Sequence, residues 1–481
     1  MADLNGDSRS LASSEEPWGV NVAGWLTSSL GLGEAARSVV RALDAQRVPV
    51  MPVHGSFTFV PAFLERERFP FVHPRAAPFR INLLCVTPPA LPPFLADAGP
   101  RFMRGRYAVG FWFWELSVVP PGWRSAFSLV DEVWAASDYV AGNLRAAAAL
   151  QAAQLPVTTM RLPVVVPRIL HTRPELGLPG GFLFLFMFDF HSAFERKNPL
   201  AVVESFRRAF GPGSGASLLI KCMNHDSDPA NHARLLAAAA RHPDVHVRAG
   251  YMSDDHKNAL MAACDCYVSL HRAEGFGLTP AEAMYLGKPV VATGYSGNLE
   301  FMTGDNSYLV DYAMKRIEVD HPPYPPGGEW AEPDVDHAAQ LMATVFARPD
   351  DAGRRAARGA ADVRTHLSPE RTGEAMRRRL QEISRTPNVP SSPRRSVSSP
   401  PVAAWRQGAR RLARLARAPQ DRVIAERRRT AVRVAGLLSE LRQQEEAIRE
   451  LRAAVAALER RLGRLDETRT AGATGGSDAE R

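Results

Sequence analysis

Residues 270–284 read LHRAEGFGLTPAEAM, and this stretch decides the fold and the function expected of the chain. It follows a short apolar run typical of a buried strand. Gly275 and Gly277 permit a tight turn and a close backbone approach, because glycine has no side chain to obstruct either. Thr279 is a favourable N-cap and Pro280 a favourable first helical residue. The stretch therefore predicts a strand, a glycine-rich loop and a helix that begins near Thr279.

A helix that begins at this point suits an anionic ligand. Its unpaired backbone N–H groups and the positive end of its dipole would hold a diphosphate. Glu274 in the loop and Glu282 in the first helical turn can accept hydrogen bonds from different hydroxyl-bearing parts of one ligand. A simpler alternative is a capping box, in which Glu282 accepts a hydrogen bond from the Thr279 backbone N–H. The residues alone leave both alternatives open.

The chain around this stretch consists of two α/β series, in which short apolar runs alternate with helical patterns. The predicted strands are 20–25, 81–86, 107–112 and 132–135 in the first series, and 182–188, 217–222, 245–249, 266–270 and 289–293 in the second. This alternation predicts two open, mostly parallel sheets with a cleft between them. Ligands of such sheets bind at the carboxyl ends of the strands.

The 270–284 stretch resembles the Glu-x7-Glu motif of the retaining family 4 (group 1) glycosyltransferases. The glycines, the helix start at Pro280, the Glu282-Ala283-Met284 sequence and the downstream Gly287-x-Pro289 sequence all match that pattern. Other segments extend the resemblance over roughly residues 18 to 385. The resemblance implies an α/β protein of the GT-B fold, in which two Rossmann-like domains face a cleft.

The resemblance also implies roles for the residues of the motif. In that family the first glutamate, here Glu274, is the catalytic residue that contacts the transferred sugar. The second, here Glu282, binds the ribose hydroxyls of the nucleotide-sugar donor. The intervening backbone holds the donor diphosphate, and the residues implied are Gly275, Phe276, Gly277, Leu278 and Thr279.

Two further segments resemble donor-binding parts of the family. Gly31 and Gly33 lie at a predicted strand-to-helix turn and are similar to the N-terminal glycine loop that approaches the donor phosphates. On its own, such a glycine pair is weak evidence. Asn298 and Glu300 belong to a downstream turn that usually lies near the donor.

A basic pair resembles the diphosphate-binding pair at the start of the family's second domain. Lys197 falls on the position of the family's lysine, but the position of the family's arginine is occupied by Ser192. Arg196 is therefore the candidate for the second cation. The alternative is that Arg196 and Lys197 form an ordinary solvated pair before a helix.

The first domain is the acceptor side in this family. Residues 110–116 read GFWFWEL, an unusual aromatic strand end. Trp114 and Glu115 are expected to line the cleft there, with the aromatic face packing on a sugar ring. Many relatives carry a histidine near the sugar in this domain, and His54 is a candidate for it, although such a histidine is more often structural.

The composition of the chain limits the classes of protein to which it can belong. With 481 residues and 45% apolar content, the chain can fill more than one core. No apolar run approaches the roughly 20 residues of a membrane span. The cysteines at positions 85, 222, 264 and 266 are predicted to be reduced core thiols of a cytoplasmic protein, not metal ligands. No cofactor is expected, and the resemblance implies metal-independent transfer.

Changes in composition divide the chain into segments. The net charge of +8 arises mainly from the arginine-rich end. The predicted segments are a disordered N-terminus (1–17), an N-terminal Rossmann-like acceptor domain (18–165), a C-terminal Rossmann-like donor domain (166–385), a Pro/Ser-rich linker (386–403), a basic amphipathic segment (404–420), a coiled coil (421–467) and a disordered tail (468–481).

The last segments suggest partners. Residues 434–465 repeat apolar residues at heptad spacing, interrupted at a core position by Gln444. This pattern favours a parallel homodimer, and a single amphipathic helix is the alternative. The basic segment 404–420 is expected to contact an anionic surface at the inner face of the plasma membrane. Specific nucleic-acid binding is not expected, because no recognised motif is present.

The expected function is retaining transfer of a hexose-type sugar from a nucleotide-sugar donor to a glycan or lipid-linked acceptor. The leaving phosphate would assist attack of the acceptor on the same face. Cell-envelope polysaccharide or glycoconjugate biosynthesis in the cytoplasm is the expected setting. The rival hypothesis is a non-catalytic GT-B-like scaffold that assembles partners through the coiled coil, and the intact pair of Glu274 and Glu282 argues against it.

Overall fold

The computed structural model describes residues 18–26, 31–54, 72–150, 155–167, 169, 171–321 and 323–386. The predictions for residues 1–17 and for the chain from residue 387 onward lie outside this part of the chain. They include nearly all of the linker, the basic segment, the coiled coil and the C-terminal tail.

The N-terminal half of the described chain forms a parallel sheet flanked by helices. Its strands are β1 (Val20–Gly24), β2 (Val50–His54), β3 (Ile81–Cys85), β4 (Tyr107–Trp112), β5 (Glu132–Ala135) and β6 (Val157–Thr159). Its helices are α1 (Gly31–Ala45), α2 (Leu91–Ala98), α3 (Arg124–Phe127) and α4 (Asp138–Ala149). The strand order is β2-β1-β3-β4-β5-β6. Strands β3 and β5 are buried along their whole length, as expected of a sheet covered on both faces.

The second half forms another parallel sheet, with strand order β12-β11-β10-β7-β8-β9. Its strands are β7 (Phe182–Asp189), β8 (Ala216–Met223), β9 (Val245–Ala249), β10 (Cys266–Ser269), β11 (Val290–Thr293) and β12 (Tyr308–Val310). Its helices are α5 (Phe194–Lys197), α6 (Pro199–Ala209), α7 (Pro229–Ala239), α8 (Asp254–Ala263), α9 (Leu278–Tyr285), α10 (Val335–Ala347) and α11 (Pro349–His366). The predicted pair of α/β sheets is confirmed.

Two elements were not expected where the structure places them. An antiparallel hairpin, β13 (Tyr312–Arg316) and β14 (Glu329–Pro333), stands between β12 and α10. Helix α12 (Pro369–Ser384) falls at the end of the segment predicted as the C-terminal domain (166–385) but packs on α1 of the N-terminal domain. A Cβ on Gly373 would lie 2.0 Å from the Ala42 carbonyl oxygen, and Arg379 pairs with the buried Glu132 at 2.7 Å.

The structure bears on two of the composition-based predictions. The cysteines at positions 85, 222, 264 and 266 are buried free thiols. Burial raises the pKa of Cys85 and of Cys264 to about 12, so both stay protonated. Among the described residues, no helix is long and apolar enough to cross a membrane.

Candidate active site

The predicted glycine-rich loop lies between the end of β10 and the start of α9. Gly277 caps the helix with a φ of 90°, a left-handed conformation that residues with side chains rarely adopt. The helix therefore begins at Leu278, and Thr279 lies inside its first turn instead of capping it, which corrects the predicted start. The N–H groups of this first turn have no partner within the helix, as an anion site requires.

The loop also contacts the acceptor domain. The hydroxyl of Ser137, at the start of α4, donates to the Gly275 carbonyl at 2.7 Å. A Cβ on Gly275 would lie 3.6 Å from the Cβ of Phe113. The ring of Phe276 is buried against Phe301, with centroids 5.4 Å apart, so only the backbone of Phe276 is available to a ligand.

Glu274 is held by two cations. Its Oε1 pairs with Nζ of Lys197, and its Oε2 lies 3.2 Å from Nη1 of Arg196. Burial alone would raise the pKa of Glu274, but Lys197 and Arg196 outweigh it and lower the pKa to about 2. Glu274 is therefore ionised throughout the physiological range. The interpretation of Arg196 and Lys197 as a solvated pair is wrong, because both side chains contact this carboxylate and are only 5% and 16% exposed.

A strained turn positions these cations. Helix α5, which carries both, is preceded by Ala193 at a φ of 61° and followed by Asn198 at a φ of 54°. Non-glycine residues in such conformations cost about 1–3 kcal/mol each and concentrate at functional sites. Nη1 of Arg196 also donates to the Ala273 carbonyl at 2.8 Å. The turn is thereby fixed to the residue that precedes Glu274.

A second turn, after β11, supports the backbone of Glu274. Ser296 Oγ accepts a hydrogen bond from the Glu274 N–H at 2.8 Å, and the Gly297 N–H donates to the Glu274 carbonyl at 2.9 Å. Ser296 has a φ of 76°, and a Cβ on Gly297 would lie 2.3 Å from the Gly275 carbonyl oxygen. Sequence reasoning missed Ser296, although its position beside a glycine was a signal of a tight turn.

The two side chains predicted to bind the donor from this turn are engaged by protein groups. Asn298 is fully buried, and its Oδ1 lies 3.1 Å from Nε2 of His271. Glu300 pairs with Nε of Arg161 at 2.6 Å and accepts a hydrogen bond from the Asp138 N–H. Asn298 therefore stabilises the loop, and Glu300 joins the two domains. That this turn also lies near the donor stays a prediction.

Glu282 is held by one cation. Its Oε1 lies 3.0 Å from Nζ of Lys257, which projects from α8. The capping box is therefore wrong, because the carboxylate binds Lys257 and Gly277 caps the helix. Burial raises the pKa of Glu282, and Glu34 adds to this effect, while Lys257 opposes it. Sequence reasoning missed Lys257, since a single lysine on a helix forms no recognisable motif.

The predicted N-terminal glycine turn opens helix α1. The helix begins at Gly31, and Gly33 is buried in its first turn. Glu34 pairs with two arginines of the same helix. Burial would raise the pKa of Glu34, but these arginines and Lys257 together lower it. His54 is the last residue of β2, and its side chain lies outside the described part of the structure.

The acceptor-side predictions of Trp114 and Glu115 concern one buried and one partly exposed residue. Trp114 is 2% exposed and packs against Trp123 and Tyr324, with centroids 4.7 and 5.4 Å away. It therefore has no free face for a sugar ring, which corrects that prediction. Glu115 accepts a hydrogen bond from Tyr324 Oη at 2.9 Å and lies 3.9 Å from Nη2 of Arg196.

Two facing parallel sheets of this kind define the GT-B class of proteins, and solved structures share the fold. The structure of HepE from Anabaena, in complex with UDP-glucose, has a TM-score of 0.57 at 15% identity and covers 76% of this chain and 100% of that one. Sucrose-phosphate synthase from Thermosynechococcus elongatus has a TM-score of 0.53 at 13% identity, covering 76% and 99%. At these identities the likeness shows the fold, and the predicted GT-B architecture is confirmed.

Sequence comparisons narrow this class. Residues 190–313 match the family model described as Glycosyl transferases group 1. Human alpha-1,3/1,6-mannosyltransferase ALG2 is 28% identical over 131 residues, 27% of each chain. Trehalose synthase from Pyrococcus horikoshii is 31% identical over 124 residues, 24% of this chain and 30% of that one. The matches thus span less than a third of these relatives, and they confirm the resemblance to group 1 glycosyltransferases.

Proposed function

We propose that this protein is a retaining glycosyltransferase that moves a hexose-type sugar from a nucleotide-sugar donor to a glycan or lipid-linked acceptor. The observation that carries the proposal is the buried Glu274 carboxylate held between Arg196 and Lys197. This cluster lies in the segment that matches the group 1 family model. The UDP-glucose bound to HepE and the mannosyltransferase name of ALG2 support the donor class.

The charges of the cluster suit the departure of a nucleoside diphosphate. Arg196, Lys197 and the first-turn N–H groups of α9 stabilise the negative charge that develops on the leaving group. Ser192 occupies the position of the family's arginine, and Arg196, buried beside Glu274, supplies the missing positive charge. Glu274 accepts hydrogen bonds from the hydroxyls of the transferred sugar, and Glu282 accepts them from the ribose.

The leaving phosphate assists the acceptor hydroxyl on the same face of the sugar, so the product keeps the anomeric configuration of the donor. In this proposal the helix dipole, the amides and the two cations replace a divalent metal ion, and no cofactor takes part. Metal independence therefore remains a prediction to be tested with a chelator.

Donor binding is tested by titrating the full-length protein calorimetrically with UDP-glucose, GDP-mannose, ADP-glucose and dTDP-glucose in the presence of EDTA. We expect one nucleotide class to bind and an NMR time course to show a product with retained configuration. An inverted product would contradict the proposed stereochemistry. A folded protein that binds none of the donors would favour the scaffold hypothesis instead.

The proposal includes a setting in cell-envelope polysaccharide or glycoconjugate biosynthesis at the inner face of the plasma membrane. Residues 404–420 would bind anionic lipid and residues 434–465 would form a homodimer. Truncation after residue 385 is expected to abolish pelleting with phosphatidylglycerol vesicles and to convert a dimer into a monomer in sedimentation equilibrium. Unchanged pelleting would contradict the membrane role, and the same number of subunits before and after truncation would contradict dimerisation through residues 434–465.

A further inference from the structure

The hairpin formed by β13 and β14 is attached directly to the candidate catalytic loop. Arg272 binds Glu332 of β14 through two hydrogen bonds of 2.9 and 2.8 Å. Its carbonyl accepts a hydrogen bond from the Ala331 N–H at 3.0 Å, and its guanidinium lies 5.2 Å from the ring centre of Trp330. Because Arg272 stands two residues before Glu274, the hairpin and the catalytic loop are anchored to one another.

The connection between the two hairpin strands carries Tyr324 into the acceptor domain. Tyr324 is 3% exposed, its ring packs on Trp114, and its Oη donates to Glu115 Oε2 at 2.9 Å. The other oxygen of Glu115 lies 3.9 Å from Arg196, which in turn lies 3.2 Å from Glu274. A continuous line of polar contacts therefore leads from the hairpin, through the acceptor domain, to the candidate catalytic carboxylate.

We propose that Tyr324 is a positioning residue that orients the Glu115 carboxylate, and that this pair controls attack by the acceptor hydroxyl and not the binding of the donor. The inference rests on the proposed glycosyltransferase function. Both donor-binding glutamates belong to the second domain, whereas Glu115 follows β4 of the first. Control of the acceptor is thus shared between the first domain and the hairpin of the second.

The geometry of Glu115 suits this task. Its Oε2 is occupied by the Tyr324 hydroxyl, whereas the 3.9 Å between its Oε1 and Arg196 exceeds the length of a hydrogen bond. Oε1 therefore keeps the capacity to accept a hydrogen bond from a ligand hydroxyl. Burial raises the pKa of Tyr324 well above its usual value, so the tyrosine keeps the proton that it donates.

The test uses Tyr324→Phe in the full-length protein, which removes the hydroxyl and keeps the ring on Trp114. The donor is the nucleotide sugar that the wild-type protein binds best, and the acceptors are water and n-octyl glucoside. We expect the donor Kd to stay within about twofold and the rate of donor consumption at saturating donor to fall about tenfold, as for loss of a hydrogen bond to a charged group.

A double-mutant cycle distinguishes positioning from a general structural effect. If Tyr324 acts through Glu115, the Tyr324→Phe/Glu115→Gln protein will be no slower than Glu115→Gln alone. Additive losses would overturn the inference. Tyr107→Phe is the matched control, because it removes another tyrosine hydroxyl that donates to a carboxylate of the first domain, at 3.2 Å from Glu132 Oε2, away from the Glu115 and Glu274 carboxylates. A loss in Tyr107→Phe that equals the loss in Tyr324→Phe would also overturn it.

Failure of the inference is distinguishable from failure of the proposed function. A wild-type protein that binds and hydrolyses no donor would overturn the glycosyltransferase proposal, and the inference would fall with it. An active wild-type protein whose Tyr324→Phe variant binds the donor tenfold more weakly would overturn the inference alone. In that case Tyr324 would belong to the donor site.

Discussion

The two glutamates of the 270–284 stretch differ in their electrostatics, although both are buried. Glu274 has two cationic partners, and its pKa is lowered to about 2. Glu282 has one, Lys257, and its pKa is raised by burial and by a nearby carboxylate. The contrast shows that the partners, which come from elsewhere in the chain, decide the charge of each end of the motif. A permanently ionised carboxylate at Glu274 suits the centre at which the sugar is transferred. Glu282 has only to accept hydrogen bonds from the ribose hydroxyls, which does not require a lowered pKa.

The largest effect that would sharpen this comparison is expected from Glu274→Gln. The substitution keeps the shape but removes the charge that faces the transferred sugar. We expect kcat to fall about 10²- to 10³-fold, the range for loss of one preorganised electrostatic group. The affinity for UDP or GDP alone is expected to stay equal or rise, because Arg196 and Lys197 no longer bind a carboxylate. Steady-state kinetics and calorimetry measure the two quantities.

Glu132→Gln is the matched control for this variant. Glu132 is also a buried carboxylate paired with an arginine, at 2.7 Å from Arg379, but it joins α12 to the first domain. Its substitution is expected to lower the melting temperature while the folded enzyme keeps its kcat within about twofold, because neither partner touches the cluster around Glu274. An equal loss of kcat in both variants would assign Glu274 a purely structural role.

The next largest effect is expected at Lys197, one of the two cations that bind Glu274. Lys197→Met is expected to weaken donor binding about 10- to 100-fold, as for loss of a hydrogen bond to a charged group. It also removes a charge that lowers the pKa of Glu274, so this pKa should rise from about 2 toward the ordinary value of 4.5. Because protonation abolishes the carboxylate, the acid limb of the pH–rate profile should move to higher pH.

Lys221→Met provides the comparison for Lys197→Met. Lys221 is 4% exposed in the same domain, and its Nζ donates to the Cys222 carbonyl at 2.9 Å, with no carboxylate partner in the described part of the chain. We expect its pH–rate profile to match that of the wild-type protein. An unshifted acid limb in Lys197→Met would mean that Arg196 alone fixes the charge of Glu274.

The sequence predicted the parts of this comparison that depend on local signals. The apolar runs predicted β1, β3 to β5 and β7 to β11 but not β6, β12 or the hairpin, and the glycines with Pro280 predicted the loop and helix that carry both glutamates. Even there the helix start was off by two residues, because Gly277 adopts a left-handed conformation and takes the capping position from Thr279. Helix-capping propensities favour threonine at the N-cap, but they do not predict that Gly277 adopts a φ of 90°.

The parts that depend on distant contacts escaped prediction. Lys257 and Tyr324 reach the site only because α8 and the hairpin pack there, and neither residue belongs to a local pattern. Trp114 and Glu115 are adjacent in the loop after β4, yet Trp114 is buried and Glu115 is partly exposed beside Arg196. The pattern of apolar residues alone did not show which of the two side chains points to the core.

A smaller effect is expected at the other end of the motif. Glu282→Gln should raise the donor KM about tenfold with little change in kcat, because a hydrogen bond to a charged group is weakened in the ground state and the transition state alike. The substitution should not alter the affinity for a 2′,3′-dideoxynucleoside diphosphate, which lacks the ribose hydroxyls. Equal losses for both ligands, measured by calorimetry, would place the ribose elsewhere.

The smallest effect is expected from Lys257→Met, which leaves the Glu282 carboxylate in place but removes its cation. A partly exposed ion pair contributes little, so donor affinity should fall only about threefold at pH 8. Lys257 opposes the raised pKa of Glu282, so its loss should raise this pKa further, and the deficit should grow as the pH falls. Lys288→Met, at a lysine just after α9, is expected to bind the donor as the wild-type protein does. A deficit in Lys257→Met that is constant between pH 8 and pH 5.5 would show that Lys257 acts on the donor directly, and the contrast between the two glutamates would then rest on Glu274 alone.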